Sequence, residues 1–260
     1  MNSINRTLFI PLYGKAYVSR KGLFLDDPLA ERIWGENQFP LKGKARSKWL
    51  AYYLGIRAAV FDAWLNQKMR EMPDAVVLHI GCGLDSRVQR VGAQGHDWYD
   101  VDMPEVIRHR RRFYPESENY HMIAGELPHL PWLSSVPRKS CIVIMEGVSM
   151  YLRGEDLQDF VRALSRQFDE IALLMDCYTP LAAKLSRFRN PVREVGVTKV
   201  YGLEHPQVLN VDGVHFVQEH PMTPQRFIDE LRGTEKAIFE KLYAGRFSQK
   251  LYRLYEYKKG

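Results

Sequence analysis

Cysteine is scarce in this chain. Three cysteines, Cys82, Cys141 and Cys177, in 260 residues are too few and too scattered for a disulfide framework or a thiolate zinc site. The eight histidines form no HxxxH or HxH pair, so a histidine metal site has no support either. No apolar run approaches the length needed to cross a bilayer. The N-terminal stretch MNSINRTLFIPLYGK lacks the apolar core and small-residue cleavage site of a secretory signal. Internal repeats and low-complexity tracts are also missing. These absences lead to an expectation of a metal-free cytoplasmic enzyme in a reducing compartment, with no membrane partner.

What is present is ordinary globular material. Hydrophobic residues make up 45% and charged residues 26%, enough to bury a core. The net charge of +6 mildly favours acidic partners. Arg108, Arg110, Arg111 and Arg112 read as a solvated helix face. Arg187, Arg189 and Arg193 lie in a polar stretch, either as a solvated loop or as a grip on an anionic substrate. No stripe of interleaved basic and aromatic residues marks a nucleic-acid binder. No seam marks an oligomer.

Up to Met72 the chain reads as helices and loops. Trp49, Tyr52, Tyr53, Ile56, Val60 and Trp64 recur at helical spacing and predict an amphipathic helix with a core-facing aromatic stripe. After Pro73 the character changes to short β-rich runs separated by helical patterns. Ala75–Ile80, His96–Val101, Tyr120–Ala124, Cys141–Met145 and Ile171–Met175 predict five strands of a mostly parallel sheet. Leu157, Phe160, Val161, Leu164 and Phe168 share one helix face between the last two. From Thr179 to Pro221 the alternation breaks. A helix at Pro224–Leu231 and two further strands, Ala237–Tyr243 and a half-exposed Leu251–Tyr257, predict an antiparallel hairpin closing the sheet. One domain is expected: a helical cap over 1–72, a cofactor-binding core over 73–178, an inserted substrate-side segment over 179–222 and the end of the sheet over 223–260.

Chemistry is expected where the strands end. Gly81-Cys82-Gly83 follows the first strand and opens a helix, and glycines there let a ligand approach the backbone. The dinucleotide pattern GxGxxG fails because Ser86 stands at the third glycine, which argues against an NAD-dependent oxidoreductase. Asp85 reads equally as a helix cap or a ligand residue. Asp102, about twenty residues on, sits where a carboxylate meets ribose hydroxyls. It is favoured over Asp100 because it is nearer the strand tip, with capping of the next helix as the bland alternative. Gly125-Glu126-Leu127 ends the third strand, and Glu146-Gly147 ends the fourth.

Taken together, YYLGIRAAVFD around Arg57, VVLHIGCGLDSRVQR, YDVDMPEVI, AGEL and MEGVSMYL resemble the leucine carboxyl methyltransferase family, which includes polyketide-type O-methyltransferases. They occur in the family's order over roughly residues 5–180. The resemblance implies a Rossmann-like class I methyltransferase fold, an α/β domain with a mostly parallel seven-stranded sheet, an antiparallel C-terminal hairpin and an N-terminal helical extension. It implies S-adenosyl-L-methionine as the methyl donor, leaving S-adenosyl-L-homocysteine. The donor would lie across Gly81, Cys82, Gly83, Asp102, Gly125, Glu126, Leu127 and Glu146, with Lys15 and Arg57 holding its carboxylate. An arginine fork suits a carboxylate; without the resemblance Arg57 reads as a surface residue.

The expected activity is O-methylation of a carboxylate or hydroxyl of a small molecule, or of a terminal carboxyl group. A carboxylate needs no base, whereas an alcohol or phenol benefits from one. Glu146, Tyr151 and Tyr178 are the candidates, with His121 and His215 behind them. A non-catalytic donor-binding protein is the alternative from a different class.

Overall fold

The computed structural model describes residues 7–37, 39, 41, 43–186 and 199–260. Each of the first five apolar runs forms a strand close to its expected place. These are β1 (Val76–Ile80), β2 (Trp98–Asp102), β3 (Tyr120–Ala124), β4 (Cys141–Met145) and β5 (Ile171–Tyr178). β6 (His215–His220) and β7 (Tyr252–Lys259) complete a seven-stranded sheet among the described residues, in the order β3-β2-β1-β4-β5-β7-β6. β1 is parallel to both neighbours, Val77 pairing with Trp98 on one side and Ile142 on the other. β7 runs antiparallel to β5 and β6. The order reverses between β1 and β4, and a crevice opens beyond the carboxyl ends of strands at such a point.

All five residues of β1 are buried, as are those of β4, because layers cover both faces of the sheet. Side chains alternate across a strand. Val77, Ile142 and Ile144 accordingly join one core, with Tyr52, Ile56 and Phe61. Val76, Leu78 and Val143 join the other, with Phe160, Leu164 and Tyr257. The second core is closed by α6 (Gly154–Gln167), whose predicted apolar face is buried as expected.

The first face is closed by α1 (Phe9–Arg20), α2 (Pro28–Glu36) and α3 (Lys48–Glu71). The aromatic stripe of α3 is core, with Tyr52 and Trp64 buried. Helices α1 and α3 pack closely because two small residues face the contact. A Cβ on Gly55 would stand 2.7 Å from Val18, and one on Gly14 would stand 3.1 Å from Leu54. That approach brings Lys15 on α1 to the same end of the sheet as Arg57 on α3.

Four expectations need correction. Ala237–Tyr243 is not a strand; it lies in the helix α9 (Gly233–Leu242) and its C-cap. Its Glu and Lys residues favour helix, and Phe239 stacks on Tyr243 one turn later at 5.5 Å. The outer antiparallel neighbour of β7 is instead β6, a polar and largely exposed edge strand with no hydrophobic alternation to announce it. The helix expected at Pro224–Leu231 is a single turn, α8 (Gln225–Ile228). β7 is an interior strand covered on both faces, not a half-exposed one.

Candidate active site

A cavity of about 710 Å³ opens at the carboxyl ends of β1, β2, β3 and β4. All eleven predicted site residues line it: Lys15, Arg57, Gly81, Cys82, Gly83, Asp102, Gly125, Glu126, Leu127, Glu146 and Tyr151. His121 and His215 do not. His121 stacks on Tyr99 at 4.9 Å, and His215 is exposed on the edge strand. Arg187, Arg189 and Arg193 lie outside the described residues.

The loop after β1 is shaped by glycine. Gly81 and Gly83 have φ of +66° and +52°, in the left-handed region where a Cβ is costly. A Cβ on Gly81 would also collide with Val148, and one on Gly125 would collide with the Trp132 ring. The two glycine turns therefore bare backbone to the cavity. Asp102 fastens the first of them. Its Oδ2 accepts from the Gly83 amide at 2.7 Å, and its Oδ1 accepts from the Met103 amide at 2.8 Å. Asp102 therefore does not cap the helix that starts at Pro104, whose N-cap is Met103 without a side-chain cap; it ties the glycine loop to the β2 tip and faces the cavity. Burial pushes its carboxyl up to about 6, with the two amides pulling the other way.

Asp100 has a different role. It is fully buried and ion-paired to Arg110, and it accepts from Tyr120 at 2.6 Å and Trp98 at 2.9 Å. Burial alone would raise its carboxyl, but Arg110 and His79 hold it at about 2. Arg110 is therefore no part of a solvated face. It is fully buried, lies 3.9 Å from the Tyr114 ring centre, and donates to the Gly83 carbonyl at 3.2 Å.

Charge of both signs is buried along the cavity floor. Arg57 donates to Glu146 Oε1 from Nε at 3.1 Å and pairs with it from Nη2 at 3.0 Å. Its Nη1 reaches Asp176 and the Tyr252 hydroxyl, both at 3.0 Å. With 4% exposure, Arg57 is not a surface residue. Lys15 lies 2.9 Å from Asp85 and 3.7 Å from Glu146. Behind them Arg87, fully buried, pairs with Glu146, with Asp85 at 3.4 Å and with Asp62 at 2.7 Å. Asp85 does not cap the next helix; it belongs to this network. Burial would raise the Glu146 carboxyl, yet Lys15, Arg57 and Arg87 together hold it far below the usual range. The opposite holds at Asp176, where burial outweighs Arg57 and raises the carboxyl.

Beside these charges the cavity wall is aromatic and apolar. Tyr53, Tyr178 and Tyr252 line it with Leu50, Leu54 and Leu251. Tyr252 stacks on Tyr53 at 6.3 Å and meets the Tyr178 ring edge-on at 5.0 Å. Asp176, Tyr252 and Arg87 were not predicted as site residues. Asp176 carries a weak signal, because it follows the fifth apolar run. Tyr252 carries none, because β7 joins the site only through sheet pairing.

A site with paired cations and carboxylates at one end, bare glycine backbone in the middle and a carboxylate at the β2 tip fits an amino-acid zwitterion linked to a nucleoside. With this sheet order it defines an S-adenosylmethionine-dependent methyltransferase. Solved structures of the same fold include the magnesium protoporphyrin IX methyltransferase of Synechocystis PCC 6803 with bound S-adenosylhomocysteine. It is 15% identical with a TM-score of 0.54, over 90% of this chain and 94% of that one. A DUF574-family protein of Streptomyces avermitilis has a TM-score of 0.59 at 12% identity, over 82% of this chain and 86% of that one.

Residues 11–120 match the family model of leucine carboxyl methyltransferase. The tetracenomycin polyketide synthesis O-methyltransferase TcmP of Streptomyces glaucescens is 30% identical over 243 residues, 92% of this chain and 90% of that protein. The S-adenosyl-L-methionine-dependent methyltransferase dpfgK of Gibberella zeae is 25% identical over 182 residues, 64% of this chain and 61% of that protein. The chain belongs to the leucine carboxyl methyltransferase family. No helix among the described residues is long and apolar enough to cross a membrane.

Proposed function

We propose that this enzyme transfers the methyl group of S-adenosylmethionine to an oxygen atom of a small, largely aromatic molecule. The observation that carries the reading is one cavity lined both by the charged and glycine-bearing residues Lys15, Arg57, Glu146, Gly81 and Gly83 and by the rings of Tyr53, Tyr178 and Tyr252. The similarity to an O-methyltransferase of polyketide synthesis over nine-tenths of both chains supports the choice of oxygen.

We assign Lys15 and Arg57 to the donor's carboxylate and Glu146 to its amino group. Glu146 is held so strongly ionised by its three cations that we assign it to binding and not to proton abstraction. Asp102 would take the ribose hydroxyls, and Glu126 and Leu127 the adenine edge, with Gly81, Cys82, Gly83 and Gly125 as the backbone cradle. Tyr151, from the turn after β4, would form part of the wall near the transferred methyl. The donor supplies an electrophilic methyl on a sulfonium. The chain's contribution is alignment of the acceptor oxygen and exclusion of water, since an in-line displacement gains most from both.

The test incubates the purified enzyme and methyl-labelled donor with matched phenols and aryl carboxylic acids, and locates the label by mass spectrometry. Label on oxygen is expected. Label on nitrogen or carbon only, or none with any aromatic acceptor, overturns the reading.

A further inference from the structure

Arg87 is a cation of the site that never reaches the cavity. It opens the short helix α4 (Arg87–Val91) and is fully buried; Glu146 and Asp85, which it contacts, line the cavity, and Arg87 does not. Every arm of its guanidinium is held. Nη2 donates to Glu146 Oε2 and lies 3.4 Å from Asp85. Nε donates to Asp62 Oδ1 at 2.7 Å, and Nη1 lies 3.3 Å from His79 Nε2. The Phe61 ring centre is 5.3 Å away.

An arginine only donates, so His79 Nε2 must accept. That leaves the ring proton on Nδ1, which faces Asp100 Oδ1 at 3.1 Å. Burial lowers the pKa of His79 and so favours this neutral ring. A hydrogen-bonded row thus runs from Asp100 on β2 through His79 on β1 and Arg87 to Glu146 at the end of β4. Arg87 is braced from α3 as well, where Asp62 takes Arg87 on Oδ1 and Arg90 on Oδ2 at 2.6 Å.

Glu146 needs such a second anchor. The terminal torsion of a glutamate is broad, so a hold on one oxygen leaves the carboxylate plane free to turn. Arg57 holds Oε1 through two nitrogens, and Arg87 holds Oε2. A carboxylate offers about four acceptor positions. With two on Oε1 given to Arg57 and one on Oε2 given to Arg87, the open position is on Oε2.

We propose that Arg87 is a positioning residue for donor recognition: it sets the plane of Glu146 so that Oε2 meets the donor's amino group. Selectivity for an amino-bearing nucleoside then depends on a side chain that touches no ligand. The inference rests on the assignment of Glu146 to that amino group. Lysine in place of Arg87 keeps the charge without the fork, so it can reach Glu146 or Asp62 but cannot brace one against the other.

The test measures, by calorimetric titration of the full chain, the affinity for S-adenosylhomocysteine and for its analogue with hydrogen in place of the amino group. The wild type should prefer the amino-bearing ligand by about 30-fold, as one charged hydrogen bond gives. In Arg87→Lys the preference should fall to about threefold, with affinity for the desamino analogue unchanged. A merely structural role would lower both affinities alike. Asp62→Asn, at a side chain 13% exposed, loosens the brace without touching Arg87 and should lower the preference in the same direction; it decides the matter if Arg87→Lys does not fold. An unchanged preference, or an equal loss for both ligands, overturns the proposal while the assignment of Glu146 stands. A wild type that binds both ligands equally overturns that assignment and the proposal with it, and a wild type that binds neither overturns the donor site itself.

Discussion

Arg57 and Glu146 meet through two nitrogens on one carboxylate oxygen, Nε at 3.1 Å and Nη2 at 3.0 Å, although they lie on a helix and a strand end 89 residues apart. Arg57 is the only cation in contact with Asp176 among the described residues. Removing it leaves one buried carboxylate unpaired and another with weaker partners, so Arg57→Ala should destabilise the fold by about 3–5 kcal/mol. It should also abolish donor binding. Arg57→Lys keeps the charge without the fork and should recover stability better than affinity. Thermal unfolding and calorimetric titration with S-adenosylmethionine separate the two; wild-type donor affinity in Arg57→Ala would refute the assignment of Arg57.

Donor affinity should depend on pH through Asp102. Its carboxyl is raised to about 6 by burial, and a ribose hydroxyl donates to the ionised form. Affinity is therefore full above that value and falls as pH drops through it. In Asp102→Asn the pH dependence should vanish. One of the Gly83 and Met103 amides would then lose its acceptor, at a cost of about 1–3 kcal/mol. Titrations between pH 5 and pH 8, bracketing the value of about 6, check both statements.

The two cradle glycines should be intolerant of a methyl group for different reasons. Gly81→Ala combines a φ of +66° with a collision against Val148, whereas Gly125→Ala meets only the Trp132 ring. Each should weaken donor binding at least tenfold, a loss of about 1.4 kcal/mol. Gly95 has a φ of +88° but nothing near it, so Gly95→Ala should cost stability through strain alone and leave donor affinity unchanged. Loss of binding in the Gly95 variant would point to general unfolding as the cause.

Leu242 and Phe247 are 62% and 63% exposed, yet both line the mouth of the cavity. Their side chains are thus placed to pack against an acceptor that enters the cavity. Phe247→Ser should raise the KM for an aromatic acceptor several-fold while donor affinity stays constant. Stability should shift by less than about 0.5 kcal/mol. Steady-state kinetics with each substrate varied in turn gives the answer; an unchanged acceptor KM would place the acceptor elsewhere.

Much of the site can be read from local sequence. Gly81, Gly83, Asp102, Gly125 and Glu146 all sit at or just beyond the ends of short apolar runs, and a parallel sheet gathers those ends along one edge. The helix–strand alternation up to Met175 is readable for the same reason, since buried parallel strands are continuous apolar runs bounded by turns. The reading fails after residue 179, where Ala237–Tyr243 is helical and the true outer partner of β7 is the exposed, polar β6. An edge strand has one paired side and little burial, so its pattern is written in its neighbour's hydrogen bonds and not in its own residues.

By itself, the sequence determined the αβ alternation, the glycine turns, the acidic strand tips and the family. Only the tertiary structure decided which charges are buried together. Arg57 and Arg110 sit in stretches that look like solvated helix faces, and Asp100 is two residues from Asp102 in an identical-looking context. The close packing of α1 on α3 carries Lys15 and Arg57 over the ends of β4 and β5, and sheet pairing lays Tyr252 beside Asp176. Burial and electrostatic partnership are properties of three-dimensional neighbours, and residues 57, 176 and 252 become neighbours only when the sheet closes.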